Sequence, residues 1–371
     1  MDKFGFAGEK VSLSDVCTKA SSGFVQKDLE ELEGEYPVYG ASGYIKSINQ
    51  YHQEKEYIAV VKDGAGIGRT MILPAKSSII GTMQYLLPKE NILPRYLYYA
   101  VKNMHLEKYY TGATIPHIYF KDYQKEKFNL PDIYKQNEVV EVLEIIEKIT
   151  EKRNAQLNDL DTLIKARFVE MFGDPIHNDK GWDTDSVSAV CADIYGGGTP
   201  SKAHPEYYEN GDIPWVSSKD MKTDVITESQ IYINQLGVDN SSAKMVPINS
   251  VIMVIRSGIL KHTLPVAINA VPITVNQDLK VFIPNNRILT RFLAIQFKMH
   301  EADILTGVRA VTADNIEFET LKTRSIIVPP IELQQEYIDF VIQIDKLKVA
   351  VQESLDELQT LFDSLMQQYF G

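Results

Sequence analysis

Two cysteines stand in 371 residues, at positions 17 and 191. Two thiols so far apart form neither a disulfide framework nor a metal-finger spacing, which points to a reduced, intracellular protein. No run approaches the ~18 consecutive apolar residues of a membrane span. The first 25 residues carry Asp2, Glu9 and Asp15 and no apolar stretch, so no secretory signal is expected. The seven histidines form no His-Glu-x-x-His and no pair at helical metal spacing, and no metal site is expected. There is no Gly-x-Ser-x-Gly elbow. Gly64-Ala65-Gly66-Ile67-Gly68 imitates a dinucleotide loop, but such a loop must open a helix. Here Arg69–Pro74 reads as a strand, so a tight turn is expected. Gly196–Pro200 lacks the Lys-Ser/Thr of a phosphate loop. The Asp/Asn-Pro-Pro-Tyr/Phe element that grips adenine in amino-methyltransferases is missing, and Val328-Pro329-Pro330-Ile331 is only superficially close. Cys17 and Cys191 sit among apolar residues and read as buried structural thiols. None of these features makes a self-sufficient enzyme.

What is present begins with charge. The net charge of −12 argues at first against nucleic acid. Its distribution reverses that. Residues 131–173 carry 6 basic and 9 acidic groups, and residues 329–371 carry 2 and 8. Residues 57–127 carry 10 basic and 5 acidic groups, and residues 240–311 carry 8 and 3. Two acidic stretches therefore alternate with two locally basic regions.

The same plan is written twice. Thr114–Gly173 aligns without a gap on Thr312–Gly371 at an offset of 198. Pro131, Ile133, Gln136 and Glu138 meet Pro329, Ile331, Gln334 and Glu336. Phe172-Gly173 meets Phe370-Gly371. Upstream, Leu87-Pro88 and Arg95 correspond to Ile283-Pro284 and Arg291. Val60-Val61-Lys62 falls on Val254-Ile255-Arg256, and Val16-Cys17 on Val190-Cys191.

Each copy closes with a helical pattern. Val139, Val142, Ile146, Ile149, Leu157, Leu160 and Leu163 recur at threes and fours, as do Ile344, Leu347, Val351, Leu355, Leu358 and Leu361. Each pattern runs about 36 residues, roughly 54 Å. A helix that long needs a partner helix to bury its stripe, and the other copy supplies one. Proline at 131 and 329–330 marks the starts. Gly173 followed by Asp174-Pro175 stops the first. The bodies are short strands bounded by Gly, Pro and Asn (Tyr57–Val61, Thr70–Leu73, Val251–Ile255, Leu279–Ile283), with helical stretches at Pro94–Lys108 and Leu289–His300. The fold class is α+β.

Duplicated bodies, each closed by a long helix opening near Pro-x-Ile-x-x-Gln-x-Glu, resemble the specificity subunit of type I restriction-modification systems. The resemblance covers essentially the whole chain. It rests on Tyr36–Gly43, Thr111–Ile118 and Leu130–Glu138 in the first half. In the second it rests on Gly197–Lys202, Gly211–Trp215 and Val328–Glu336. It implies target-recognition domains at residues 1–130 and 174–328, with spacer helices at 131–173 and 329–371 pairing as an antiparallel two-helix coiled coil with approximate two-fold symmetry. Each domain is then expected to read one half of a split, asymmetric duplex DNA site. The resemblance also implies partners: two copies of a methyltransferase subunit and, for cleavage, a restriction motor-nuclease subunit. S-adenosylmethionine, ATP and Mg would sit on those partners, with no cofactor in this chain, no membrane, and a cytoplasmic location.

Sequence readout needs base-edge donors and acceptors on loops, steadied by phosphate contacts. The first body offers Lys46, Lys62, Arg69, Thr82, Gln84, Thr114 and His117. The second offers Thr199, Lys202, Ser217, Ser218, Lys219, Arg256, Lys261, His262, Asn276, Gln277 and Arg309. Lys62 and Arg256 are expected to occupy the same place in the repeat, just after a central strand. Gly40, Gly43, Gly112 and Gly307 read as loop-shaping residues, and Trp215 as a core anchor. The rival readings are a stand-alone DNA-binding regulator and a coiled-coil assembly scaffold that binds no nucleic acid.

Overall fold

The computed structural model describes residues 8–112, 116–307, 309–310 and 314–371, with the side chains of residues 309, 310 and 314 excepted. Thr114 and the side chain of Arg309 lie outside the described residues. The chain forms two compact units. One holds the chain up to Gln156 together with Val351–Gly371; the other holds Leu157–Ala350.

The first unit contains β1 (Glu9–Ser12), α1 (Leu13–Val16), β2 (Cys17–Ser21), β3 (Tyr36–Gly40), β4 (Gly43–Ile48), β5 (Tyr57–Val61), β6 (Thr70–Leu73), β7 (Ser78–Ile79), β8 (Met83–Pro88), α2 (Pro94–Asn103), α3 (Phe120–Tyr123) and β9 (Lys127–Leu130). Its main sheet runs β2-β8-β5-β6, beside a smaller β4-β3-β7 sheet and a β1-β9 pair. All five residues of β5 are buried. Successive side chains of a strand point to opposite faces. Ile58 and Val60 accordingly join Leu86 and the α2 side chains Tyr96 and Leu97 in one cluster, while Tyr57, Ala59 and Val61 join Met83 and Tyr85 in another. Pro94 at the first turn of α2 costs no hydrogen bond, because that N–H has no helical acceptor. The helix ends at Asn103, short of the expected Lys108, because His105 takes φ 50° and a separate 3-10 turn follows over Leu106–Tyr109.

The second unit repeats this with insertions: β10 (Thr184–Ser186), α5 (Val187–Val190), β11 (Cys191–Gly196), β12 (Ile213–Val216), β13 (Val225–Ile226), β14 (Tyr232–Ile233), α6 (Gln235–Asp239), β15 (Val251–Val254), β16 (Val266–Asn269), β17 (Thr274–Val275), β18 (Leu279–Pro284), α7 (Thr290–Met299), α8 (Glu301–Thr306), β19 (Arg309–Ala310), β20 (Asp314–Asn315), α9 (Phe318–Thr323) and β21 (Ser325–Ile327). Its sheets run β11-β18-β15-β16-β13, β14-β12-β17 and β10-β21, matching the first unit sheet for sheet. The extra β13 joins β16 in parallel, and the β19-β20 pair, with Arg309 facing Asn315, matches the Thr111–His117 bridge of the first unit. Trp215 is 6% exposed and donates its indole N–H to the Gly198 carbonyl at 2.9 Å, the anchoring role expected of it.

The long helices α4 (Ile133–Phe172) and α10 (Ile331–Phe370) have 40 residues each. Gly173 at φ +75° ends α4; its amide still bonds back to Val169, and a Cβ there would strike Asp179. In the second unit the pairing is antiparallel. Asp161 meets Lys348, the Ile164 carbonyl accepts from the Tyr337 hydroxyl at 3.0 Å, and Arg167 meets Glu336 at 3.3 Å. Phe168 and Phe172 then pack against Phe292 and Tyr337 in the core. In the first unit Met366 and Phe370, 198 residues on, do the same with Tyr96, Val139 and Leu143.

One row of buried or half-buried positions on α4 runs through 139, 143, 146, 150, 153, 157, 160 and 164, spaced alternately by fours and threes, among other buried positions where the helix meets its bodies. On α10 the corresponding row runs through 341, 344, 348, 351, 355, 358, 362 and 365. Val139, Ile146, Ile344 and Val351 are buried, and Leu157, Leu160, Leu355 and Leu358 half-buried. Hydrophobicity alone also places Val142, Ile149, Leu163, Leu347 and Leu361 in the seam. The structure puts them outside it, at 39, 39, 45, 52 and 48% exposure. Polar Thr150, Arg153 and Lys348 hold seam positions that an apolar count passes over.

A buried glutamine ties each long helix to its body. Gln136 accepts from the Leu93 amide, the N-cap of α2, at 2.9 Å and donates to the Asn91 and Pro131 carbonyls at 3.0 and 2.9 Å. Gln334 accepts from Leu289 at 2.9 Å and donates to Arg287 and Pro329 at 3.1 and 2.8 Å. Both are fully buried, so all three bonds are made away from water, where losing them is most costly.

The seam phase gives a paired prediction. Ile146→Asp buries an unpaired charge and should cost about 3 kcal/mol or more. Ile149→Asp, three residues on but outside the seam, should cost less than about 1 kcal/mol. Chemical denaturation of both variants checks this; equal costs would contradict the assigned phase.

Candidate nucleic-acid interface

In the first unit Lys62, Arg69, Thr82 and His117 converge at the end of β5. The amides of Lys62 and Asp63 both donate to the Thr82 carbonyl, at 3.0 and 3.2 Å. The Val61 amide donates to Arg69, and the Lys62 carbonyl accepts from Ile118 at 2.9 Å. Gly64, Gly66 and Gly68 all take positive φ, which lets the chain turn within this short span, as expected of a tight turn. Asp63 joins the cluster: one carboxylate oxygen meets His117 Nδ1 at 2.7 Å and the other meets Lys62 Nζ at 3.0 Å. Burial alone would raise the Asp63 carboxyl. The His117 and Lys62 hydrogen bonds and the Lys62 charge outweigh it and hold the carboxyl below its ordinary value. Arg69 Nη1 donates to the Ala41 carbonyl at 2.9 Å, linking the turn to the β3–β4 hairpin. Lys46 stands apart on β4 and donates to the Glu30 carbonyl at 3.1 Å. Gln84 is 3% exposed and accepts from the Tyr123 hydroxyl. It belongs to the interior and presents no amide edge to a groove in this conformation.

In the second unit Thr199, Arg256, Asn276 and Gln277 come together. Thr199 donates to Gln277, and the Asn276 amide donates to Val216 at 2.9 Å. Asn276 is itself buried and bonds Asp278 at 3.1 Å, so it frames the loop from inside. Arg256 donates from Nε to Asp278 Oδ1 at 2.6 Å and approaches the same oxygen from Nη2 at 2.5 Å. Ser217 is turned back onto Asp220 at 2.8 Å. Ser218 and Lys219 line one wall of an open groove of about 840 Å³, and Ser257, Ile259 and Thr263 line another. Lys261 and His262 belong to that second wall's turn and are exposed. Lys202 is exposed on the loop after β11.

The expected equivalence of Lys62 and Arg256 is off by one residue. Cys17 pairs with Pro88 and Cys191 with Pro284, which fixes β8 against β18 at an offset of 196. Val61 pairs with Met83, and Val254 with Leu279, so β5 and β15 correspond at an offset of 193. The loops agree. The Asp278 carbonyl accepts from Ile255 and Arg256 as Thr82 does from Lys62 and Asp63, and Ile316 bonds Ile255 as Ile118 bonds Lys62. Asp63 faces His117 in a backbone bridge, and Arg256 faces Asn315. Lys62 therefore matches Ile255, and Arg256 matches Asp63. Sequence reasoning slid because Val60-Val61-Lys62 and Val254-Ile255-Arg256 share an apolar-apolar-basic pattern that carries no register. It also passed over Asp63 and Asp278, since a search for DNA contacts looks for cations.

The cysteines are chemically quiet. Burial pushes the Cys17 thiol up to about 12, and the Cys191 thiol likewise. Among the described residues no group of three or more His, Cys, Asp and Glu could hold a metal ion, and no helix is long and apolar enough to cross a membrane.

A family model described as the type I restriction modification DNA specificity domain matches residues 8–159 and, a second time, residues 180–359. The chain belongs to that family. It is 29% identical over 291 residues to the specificity subunit of the type I restriction enzyme EcoR124I/EcoR124II of Escherichia coli, covering 76% of this chain and 70% of that one. It is 21% identical over 303 residues to the MjaIX specificity subunit of Methanocaldococcus jannaschii, covering 76% and 69%. The crystal structure of a type I restriction-modification S subunit from M. genitalium shares the fold, with a TM-score of 0.60 at 14% identity over 100% of this chain and 98% of that one. In this specificity subunit the two matches fall on the two copies of the repeat.

The Asp63 link should hold the returning loop in place. Asp63→Ala should raise the exchange rate of the Ile118 amide about tenfold over wild type, on the order of 1.4 kcal/mol of local stability. A carboxyl whose pKa is held down by folding contributes stability above its unfolded value near 3.9 and loses it as pH falls through the folded value. Wild type should therefore show the same loss of Ile118 protection only in acid, below about pH 3.9. Hydrogen exchange read by NMR or mass spectrometry checks both. Unchanged protection in the variant at neutral pH would contradict the link.

Proposed function

We propose that the chain reads a bipartite, asymmetric site on duplex DNA, one half with each body, and carries the catalytic subunits to it. The observation that supports this most is the single backbone position filled by Asp63 beside His117 in one body and by Arg256 beside Asn315 in the other. A shared frame with opposite charges at the same point suits two readers of different sequences. It does not suit a symmetric scaffold.

The readers are residues 1–130 and 174–328. The contacting set is Lys46, Lys62, Arg69, Thr82, Thr114 and His117 in the first. In the second it is Thr199, Lys202, Ser217, Ser218, Lys219, Arg256, Lys261, His262, Gln277 and Arg309. Cationic members steady the phosphates, and hydroxyl, amide and guanidinium groups read base edges. The chain itself is non-catalytic. Two methyltransferase subunits bind S-adenosylmethionine and transfer the methyl group, and a restriction motor-nuclease subunit uses ATP and Mg to cleave, all in the cytoplasm. The outward apolar residues Val142, Ile145 and Ile149 of α4, and Leu347, Val349 and Leu361 of α10, are exposed and offer these subunits helical faces to dock on.

Two experiments test this reading. The purified chain with S-adenosylmethionine should leave DNA unmethylated, while adding its methyltransferase subunits should give methylation at one split sequence. Methyl transfer by the chain alone would contradict it. Inserting four residues after Asn154 adds about 6 Å of helix and about 40° of rotation. Methylation mapping should then show both half-sites kept and the gap between them changed. An unchanged gap, in a complex that still methylates, would mean the helices do not set it.

A further inference from the structure

Arg256 does not sit on the surface as a loose cation. Its Nε and Nη2 both engage Asp278 Oδ1, at 2.6 and 2.5 Å. The other carboxylate oxygen accepts from the Asn276 side-chain amide at 3.1 Å, and the Asp278 backbone amide donates back to Asn276 Oδ1 at 3.1 Å. Asp278 and Asn276 thus lock each other, and Asn276 is buried. The Arg256 side chain remains 48% exposed. One edge of the guanidinium plane is held, and Nη1 with the second hydrogen of Nη2 stays unengaged by the described residues. The backbone is fixed as well, by the Asp278 carbonyl on one side and the bridge to Asn315 on the other.

We propose that Arg256, oriented by Asp278, reads a guanine in the half-site of the second body. This rests on the bipartite reading above and deepens it to one residue and one base. A planar fork with two parallel N–H groups matches guanine O6 and N7 in the major groove, which no other base offers as a pair of acceptors. A phosphate clamp needs charge but no fixed plane, whereas base readout gains from a plane that is already set. Asp278 supplies that plane and acts as a positioning residue. The equivalent position in the first body is Asp63 with His117, which has no such fork. The contact made from this position therefore belongs to the half-site of the second body.

The test uses the full chain assembled with its methyltransferase subunits and S-adenosylmethionine, on duplexes varied one position at a time. Wild type should show one guanine whose replacement by 7-deazaguanine, which removes N7, lowers the methylation rate about tenfold. Arg256→Lys keeps the positive charge and loses the fork. It should abolish the preference for guanine at that position alone and make 7-deazaguanine there harmless. Asp278→Asn should weaken the same preference and leave the salt dependence of binding unchanged. An unchanged preference for guanine in Arg256→Lys, which keeps the charge a phosphate contact needs, would mark a phosphate contact and overturn the proposal. So would a wild-type site with no guanine sensitive to 7-deazaguanine, a result that needs no variant to fold. A wild-type complex that methylates with no sequence preference would overturn the bipartite reading itself, which the other outcomes leave standing.

Discussion

The end of the central strand is the constraint on which the interface depends. In each body two successive amides leaving that strand share one carbonyl, from Thr82 or Asp278, while the first carbonyl after the strand, of Lys62 or Ile255, accepts from a returning segment at Ile118 or Ile316. The backbone is thereby fixed from both sides by bonds that involve no side chain. Side chains at that point can differ without moving the frame, and they do, from Asp63 to Arg256. A recognition module that must change its target while keeping its fold needs this separation between a frame of backbone hydrogen bonds and a variable set of side chains.

The long helices follow the opposite logic. There the side chains carry the register: apolar residues at alternating threes and fours, a buried glutamine in the first turns, and aromatic residues at the far ends that pack into the cores. Gln136 and Gln334 each join a long helix to the start of the neighbouring short one through three hydrogen bonds. Replacing either residue would leave buried donors and acceptors unpaired, so the same amide at the start of both helices has a physical reason beyond the ancestry of the repeat. The helices' outward residues are not needed by this seam.

Much of the fold is legible in the sequence because it is stated twice. The gapless offset of 198 carries the helices. The strand at Tyr57–Val61, the Gly64–Gly68 turn and the Trp215 anchor all follow from local composition and recur in the structure. The seam is legible only in part. Val142 and Ile149 satisfy a helical period as well as Val139 and Ile146 do, and only packing decides which row faces inward. The interface is less legible still. Lys62 and Arg256 look equivalent because both follow two apolar residues, yet strand pairing shifts them by one. Gln84 and Asn276 have the right chemistry for reading bases and lie inside the bodies. Asp63 and Asp278 have the wrong sign for DNA and acquire a role only once their partners are known.

The central claim is that each body reads its half of the site independently. It is tested most directly by exchanging the body between Thr184 and Ile327 for that of a specificity subunit with a different target, then mapping methylated sites in cells that supply the methyltransferase subunits. The expected result is a hybrid site in which one half takes the donor's sequence and the other half is unchanged. A change in both halves, or in neither, would contradict it.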